Sequence, residues 1–135
     1  DPECQVLMMR LKNDLLELIL SIFNNKLIDQ NIIWDMRPGI TVVAASKGYP
    51  QEFEKNVEIK NIDKIKQNEN LQIFHAGTTM DQYGKIRSNG GRVLNATVIS
   101  DSLKKARESA LNALDILDWK NKYYRRDIGC KAIDQ

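Results

Sequence analysis

Three short segments place glycine beside a polar or charged side chain, each at the end of a predicted strand. They are residues 46–50, 75–79 and 89–92. Glycine lets backbone N–H groups approach an anion closely, and Lys47 or Arg92 could complete the charge match. Glycine at a strand end is also how hairpins turn, so one such loop alone would favour a simple turn. When three such loops lie in one small sheet, a shared phosphate-binding site and three simple turns are about equally well supported as interpretations.

Two other features have an ordinary and a functional interpretation. His75 is the only histidine and ends a predicted strand, where a structural imidazole bonded to the backbone is favoured over a functional one. Residues 123–127 combine two tyrosines with two arginines, as sites that stack nucleic-acid bases do. A docked tyrosine and a salt-bridged arginine explain the same residues, so nucleic-acid binding is the minor alternative.

Several chemistries have no motif in this sequence. A GxxxxGKS/T loop, a GxGxxG turn between strand and helix, and a GxSxG elbow are all absent, so neither P-loop nor Rossmann nucleotide binding is supported. Cys4 and Cys130 lie far apart without CxxC spacing, and a single histidine argues against a zinc site. Both cysteines are predicted to be free thiols of a reducing compartment.

Composition predicts a soluble globular chain with one core. The 135 residues are 42% apolar, which excludes a disordered chain and suffices for folding without disulfides or metal. The net charge of +2 is too small to indicate a nucleic-acid binder by bulk charge. No apolar run approaches the roughly 18 residues of a membrane span.

The elements that must position these loops follow from hydrophobic periodicity. Leucines and isoleucines at steps of three and four predict one long helix over residues 6–23. Bounded β-branched runs predict strands at 40–45, 71–75 and 92–99, with a further short strand suggested at 56–59. The side chains of Ser100, Asp101 and Ser102 supply N-cap oxygens for a closing helix. The fold class is therefore α+β, a small antiparallel sheet with helices against one face.

Six motifs in order resemble one known family. They are DPECQ at 1–5, LKNDL at 11–15, ASKGYP at 45–50, FHAGT at 74–78, NGGRVL at 89–94 and YRRDIG at 124–129. Together they resemble the C-terminal portion of the glycinamide ribonucleotide synthetases, or phosphoribosylamine–glycine ligases, of the ATP-grasp superfamily. The resemblance runs from residue 1 to about residue 133. Departures at Asn13, Gln51 and Met8–Met9 remove no charged group from the motifs.

The resemblance implies an ATP-dependent carbon–nitrogen ligase of de novo purine biosynthesis in the cytoplasm. ATP with Mg²⁺ or Mn²⁺ would activate glycine as glycyl phosphate, and 5-phosphoribosylamine would attack it to give glycinamide ribonucleotide, ADP and phosphate. Residues 1–37 would form the end of the ATP-grasp core, a long helix and linker. Residues 38–135 would form the C-terminal α+β domain.

The resemblance also implies what this chain does not contain. The family's metal ligands would lie just upstream of Asp1, with the nucleotide clamp and the N-terminal domain further upstream. This chain alone is therefore expected to be inactive, to hold no metal ligand, and to bind neither ATP nor Mg²⁺. Its partners would be the missing portions and the small-molecule substrates, with no nucleic acid and no membrane.

The resemblance suggests substrate-facing residues but no certain catalytic residue. Asp1 and Glu3 match an acidic pair that would face glycine or its acyl phosphate. The residues matching glycine-rich loops would line the ribosylamine side: Lys47, Gly48, His75, Gly77, Thr78, Gly90, Gly91 and Arg92.

Two functions from other classes stay open. One is a non-catalytic structural or interaction domain whose loops merely turn the chain, and the other is a nucleic-acid module using residues 123–127. Affinity for ribose phosphates would favour the ligase. Absence of this affinity would favour the structural domain. RNA binding with a steep salt dependence would favour the nucleic-acid module.

Overall fold

The computed structural model describes residues 2–133. Two helices open the chain, a third follows the last long strand and a fourth of one turn ends it; they are α1 (Glu3–Arg10), α2 (Leu15–Phe23), α3 (Leu103–Ile116) and α4 (Cys130–Ile133). The strands are β1 (Gly39–Ser46), β2 (Leu71–His75), β3 (Thr78–Met80), β4 (Ile86–Ser88), β5 (Arg92–Ile99) and β6 (Lys122–Tyr124). Single 3₁₀ turns lie at Leu27–Asp29 and Ile62–Lys64.

A four-stranded antiparallel sheet in the order β2-β5-β1-β6 is the centre of the fold. Strands β3 and β4 pair separately as a hairpin between β2 and β5. The predicted α+β class, its antiparallel sheet and its closing helix are confirmed. The prediction that the helices lie against one face is wrong, because α1 packs on the face opposite α3, where Thr97 Oγ1 lies 3.4 Å from Gln5 Oε1. The bounds predicted for β2 and β5 agree with the structure, and β1 is one residue longer at each end.

Helix α3 packs against one face of the sheet and forms the core with it. Alternation along β1 sends Ile40, Val42 and Ala44 to this face, where all three are buried. Ala110 and Leu114 of α3 are fully buried against them. Of the three cap candidates, Ser102 begins the helix, its Oγ accepting from the Lys105 N–H at 3.2 Å. A buried leucine of this kind contributes about 1.5–3 kcal/mol, so the sheet–α3 layer carries much of the stability.

The single long helix predicted over residues 6–23 is wrong, because the chain leaves the helix at Leu11. Leu11 is extended and bridges Trp34. The Asn13 Oδ1 accepts from the Ile33 N–H at 2.6 Å, and Asp14 caps α2 by accepting from the Leu16 N–H at 2.8 Å. Short polar side chains compete with the helix for backbone groups, which the apolar periodicity did not register.

Asp35 ties the break between α1 and α2 to the start of the sheet. It is buried, its carboxylate lies 2.6 Å from Arg37 Nη2 and 2.9 Å from Lys12 Nζ, and it accepts from the Arg37 N–H. These hydrogen bonds, chiefly from the Arg37 guanidinium, hold the pKa of the Asp35 carboxyl well below its ordinary value. The ion-pair cluster therefore fixes residues 10–14 against the segment that enters β1.

Residues 56–59 run beside β4 without becoming a regular strand. Glu58 forms an isolated bridge with Arg87, the Ile59 N–H donates to the Ile86 carbonyl at 2.8 Å, and the Ser88 N–H donates to the Val57 carbonyl at 2.8 Å. The suggested strand is thus present only as bridge-type pairing. Strand β6, by contrast, was not predicted.

Cys4 and Cys130 are both free, as expected. Among residues 2–133, no helix has the length and apolar character that crossing a membrane requires.

Candidate functional site

The three glycine-containing loops lie in contact at one end of the sheet. A Cβ placed on Gly77 would lie 2.6 Å from the Cα of Gly90, so these two backbones touch. A Cβ on Gly91 would lie 2.0 Å from the ring of Tyr49. A side chain at 77 would therefore collide with backbone, and one at 91 would displace the Tyr49 ring. The structure brings together the three segments that the sequence singled out.

Backbone N–H groups in these loops bond to other loop residues. Gly77 donates to the Arg92 carbonyl at 2.9 Å, and Asn89 donates to the Gly77 carbonyl at 2.7 Å. Lys47 donates to the Asn121 carbonyl and Ser46 to the Gly91 carbonyl, both at 2.8 Å. These four N–H groups hold the loops together, so side chains are the better candidates for ligand contacts.

Gly48 and His75 lie at the edge of this loop cluster. Gly48 has a φ of +104°, and a Cβ there would lie 2.1 Å from the Glu52 carbonyl oxygen. The exposed His75 places its Nδ1 2.9 Å from the Thr78 Oγ1. Its partner is thus a side-chain hydroxyl, where the sequence favoured a backbone group.

A cleft of about 360 Å³ opens on the sheet face opposite α3. Its floor is formed by the β1 side chains that point away from the core, Thr41, Val43 and Ala45. Its walls come from the loops and from the chain after α3: Pro2, Tyr49, Arg92, Tyr123, Tyr124, Arg125 and Ile128. The volume is within the range of small-molecule sites, and the lining combines apolar surface with two guanidinium groups.

A change of register between β1 and β5 places Arg92 in this cleft. Ala44 pairs with Leu94, but the next β1 residue, Ala45, pairs with Arg92, so Val93 is passed over. In a regular ladder Val93 would oppose Ala45. Bulges of this type redirect side chains beside functional sites. The irregularity thus exchanges an apolar side chain for a guanidinium beside the cleft floor.

Strand β6 supplies the wall that sequence reasoning missed. Tyr123 pairs with Ala45 and shares its cleft-facing side, whereas Tyr124 pairs with Ala44 and shares its core-facing side. The aromatic–basic segment is therefore directed to both sides of the sheet edge, although Tyr124 as well as Tyr123 lines the cleft. Residues 122–126 read Lys-Tyr-Tyr-Arg-Arg and show no alternation of apolar and polar side chains, so the local sequence carried no signal for this strand.

Arg125, which belongs to this wall, forms an ion pair with Asp127, two residues further along the chain. Its Nη2 lies 2.6 Å from Asp127 Oδ2, and the Arg125 guanidinium lowers the pKa of the Asp127 carboxyl below its ordinary value. Both side chains are more than half exposed, so the pair adds little to stability. The guanidinium can exchange this partner for a ligand anion at small cost.

The sequence-predicted residues divide between the cleft and its surroundings. Arg92 lines the cleft, and Glu3 follows Pro2, which also lines it. Seven lie in the neighbouring loops: Lys47, Gly48, His75, Gly77, Thr78, Gly90 and Gly91. Asp1 falls outside the described residues. Within residues 2–133, no group of three or more His, Cys, Asp or Glu side chains is arranged to hold a metal ion.

The phosphoribosylglycinamide synthetase C-domain family matches residues 39–131, more than half of the chain. Similarity to curated proteins extends further. A phosphoribosylamine–glycine ligase of Brucella melitensis biotype 1 is 40% identical over 135 residues, which is 100% of this chain and 31% of that protein.

Two other relatives are longer proteins. The chloroplastic phosphoribosylamine–glycine ligase of Arabidopsis thaliana is 40% identical over 136 residues, covering 100% of this chain and 26% of the relative. The trifunctional purine biosynthetic protein adenosine-3 of Gallus gallus is 42% identical over 134 residues, covering 98% of this chain and 13% of the relative. The chain thus spans a third or less of the length of these relatives.

A solved structure has the same architecture. The crystal structure of a phosphoribosylamine–glycine ligase from Thermotoga maritima superposes with a TM-score of 0.62 at 28% identity. The match covers 81% of this chain and 27% of that one. Family match, identity and architecture agree, and the chain therefore belongs to the phosphoribosylamine–glycine ligase family, whose C-terminal region it matches.

Proposed function

We propose that this chain is the C-terminal part of an ATP-dependent ligase that joins glycine to 5-phosphoribosylamine. The products would be glycinamide ribonucleotide, ADP and phosphate, formed through glycyl phosphate in the cytoplasmic purine pathway. The observation that carries this proposal is the similarity to phosphoribosylamine–glycine ligases along the entire chain, at 40% identity. The cleft beside Arg92 gives the chain a site suited to a phosphorylated substrate.

The proposed division of the chain sets residues 1–37 apart as the end of an ATP-grasp core. Exposed apolar side chains support it, since Leu16, Phe23, Ile28 and Met36 are 63%, 79%, 93% and 86% exposed. An apolar surface of this extent normally packs against other protein. Residues 38–135, which contain the whole sheet and α3, would be the C-terminal domain.

The proposed substrate of the cleft is the ribosylamine phosphate. Guanidinium groups bind phosphate oxygens in a fork geometry, and Arg92 and Arg125 both line the cleft. The seven loop residues would act mainly by holding Tyr49 and Arg92 in place, since the backbone hydrogen bonds of Gly77 and Lys47 run to other loops. Asp1 and Glu3 would face the glycine side.

ATP and Mg²⁺ are assigned to the remainder of the ligase. The described residues offer no cluster that fits a metal ion, so the metal ligands would have to come from other parts of the protein. When bound in the full-length protein, Mg²⁺ would neutralise charge on the transferred phosphoryl group. The part of this chain would be to bind and orient the amine substrate.

The direct test is a coupled ADP-release assay on the full-length protein. ADP release that requires glycine and phosphoribosylamine together is the expected result. Release that is independent of phosphoribosylamine would contradict the proposed substrate. The 135-residue chain serves as the matched control and should show only background release.

The structural or interaction domain is the remaining alternative, favoured by the same exposed apolar side chains. It differs from the ligase in needing no ligand in the cleft. Titration of the chain with ribose 5-phosphate separates the two, because binding that Arg92→Ala weakens favours the ligase. Nucleic-acid binding has less support, since Asp115 and Asp127 already hold Tyr124 and both arginines of this segment.

A further inference from the structure

Helix α3 holds the chain segment that forms the far wall of the cleft. This wall segment, residues 122–128, pairs with the sheet only through three residues of β1. Side chains of α3, which lies behind the sheet, hold it from the other side. The cleft wall and the helix are thus joined across the edge of the sheet.

The two ends of the wall segment are held by hydrogen bonds to backbone carbonyls. The Lys122 Nζ donates to the Leu114 carbonyl at 2.7 Å and to the Leu117 carbonyl, which caps the C-terminal end of α3. The Arg107 Nε donates to the Ile128 carbonyl at 2.8 Å, and its Nη2 donates to the Arg126 carbonyl. These bonds fix where the segment begins and ends.

Asp115 holds the middle of the wall segment. Its Oδ1 accepts from the Tyr124 hydroxyl and from Arg126 Nη2. Arg126 also donates to the Tyr124 hydroxyl at 2.8 Å, and its guanidinium carbon lies 5.2 Å from the centre of the Tyr124 ring. Burial and the Asp115 carboxylate raise the pKa of the Tyr124 hydroxyl to about 12, which keeps it a donor at neutral pH.

The backbone of residues 123–126 connects this network to the cleft. Tyr124 and Arg126 contact Asp115, and Tyr124 also lines the cleft together with its neighbours Tyr123 and Arg125. A shift of the even-numbered residues away from α3 moves the odd-numbered ones as well, because they share one short stretch of backbone. Asp115 itself is not among the cleft-lining residues.

We propose that Asp115 is a positioning residue for the amine substrate. Its carboxylate fixes Tyr124 and Arg126 on α3 and thereby sets the position of Arg125 and Tyr123 in the cleft wall. This inference rests on the proposed function, since it assigns the wall to recognition of the phosphorylated substrate. It adds a residue that neither the motifs nor the cleft lining contains.

The test uses Asp115→Asn in the full-length ligase. The KM for phosphoribosylamine should rise about fivefold, while kcat and the KM values for ATP and glycine stay within about twofold, because the Tyr124 hydroxyl and the exposed Arg126 lose their charged partner. Asp115→Glu keeps the charge, so its KM for phosphoribosylamine should rise less than that of Asp115→Asn. Glu108→Gln, an exposed position on the same helix, is the matched control and should leave all constants unchanged.

A double-mutant cycle with Arg125→Ala separates positioning from general destabilisation. If Asp115 acts through Arg125, adding Asp115→Asn to Arg125→Ala raises the KM no further. Full additivity of the two changes would overturn the proposal. So would a lowered melting temperature with an unchanged KM for phosphoribosylamine, or an equal rise in the KM values of all three substrates.

Two further measurements test the proposal even if Asp115→Asn folds poorly or the protein lacks ligase activity. Arg126→Gln removes the opposite side of the network and should give the same selective rise in KM. Hydrogen exchange should show faster opening of residues 123–126 in Asp115→Asn than in Glu108→Gln, and equal exchange would contradict the positioning role. Absence of ligase activity in the wild-type protein would refute the proposed function, and the exchange result then decides the role of Asp115.

Discussion

At the scale of single residues, Arg92 shows how a small irregularity places a charged side chain in a cleft. The register change opposite Ala45 directs its guanidinium to the cleft side of the sheet, beside a floor that is otherwise apolar. The same residue begins β5, and its carbonyl accepts from the Gly77 N–H, so its backbone is fixed by the loop cluster. Position and rigidity both suit a group that must meet a substrate phosphate.

We expect Arg92→Ala in the full-length ligase to impair use of phosphoribosylamine more than use of ATP or glycine. A charge-assisted contact contributes about 1.5–3 kcal/mol, which corresponds to roughly a ten- to hundredfold rise in the KM for phosphoribosylamine. Steady-state kinetics with each substrate varied in turn measure the effect.

A structural role for Arg92 gives a different result in the same experiment. If it only holds the wall segment, for example through Asp127, the melting temperature falls and the three KM values stay unchanged. Asp127 already pairs with Arg125 at 2.6 Å. Arg92→Lys is the matched variant, because lysine keeps the charge but cannot make the two parallel hydrogen bonds of a guanidinium. Its KM for phosphoribosylamine should lie between those of the wild type and Arg92→Ala.

Asp35 gives a pH-dependent prediction. Its pKa in the folded state is held below the ordinary value near 3.9, so the carboxylate stabilises the fold above that pH. This stabilisation is lost as pH falls further and the carboxyl is protonated. Asp35→Asn should therefore lower the melting temperature by several degrees at pH 7.

The pH dependence of this difference is the check. The gap in melting temperature between wild type and Asp35→Asn should narrow as pH falls below about 3.9. Asp29→Asn, an exposed position in the same segment, is the control and should leave the melting temperature unchanged at every pH. A gap that is constant from neutral pH to well below the ordinary carboxyl pKa would rule out the ion pairs as its cause.

At the scale of elements, helices and strands were predictable where one periodicity dominated. Residues 71–75 and 92–99 are β-prone runs bounded by turns, and both form the strands expected. The prediction of one long helix over residues 6–23 was wrong because Asn13 and Asp14 accept hydrogen bonds from backbone N–H groups. Hydrophobic spacing does not reveal this local competition. Strand β6 was missed because three residues pair with β1 only through a long-range contact.

Helix α2 is expected to be the least stable element of the isolated chain. Leu18 is its one buried large apolar side chain, and Leu16, Leu20, Ile22 and Phe23 are at least half exposed. Helices with little tertiary packing open at low free energy. Hydrogen exchange should show α2 opening more readily than β1 and β5.

The comparison within one sample is its own control, because all three elements experience the same global unfolding. Equal protection of α2, β1 and β5 in a monodisperse monomer would contradict the prediction. Protection of α2 that increases with protein concentration would show instead that association covers its apolar face.

At the scale of the whole molecule, the family and the fold class could be predicted, but the cleft could not. Six ordered motifs indicated the ligase family, and the family match and the similar ligases confirm it. The cleft needs Pro2 before α1, Tyr49 after β1 and Tyr123 in β6 to converge, which only the strand order β2-β5-β1-β6 brings about. Local sequence does not specify such convergence.

The most direct measurement compares phosphoribosylamine-dependent ADP release by the full-length ligase, by the same protein without residues 38–135, and by the chain alone. If this chain orients the amine substrate, only the intact protein shows release that requires both glycine and phosphoribosylamine. Full activity without residues 38–135, in a protein that remains folded by circular dichroism, would contradict the central claim, as would activity of the chain alone.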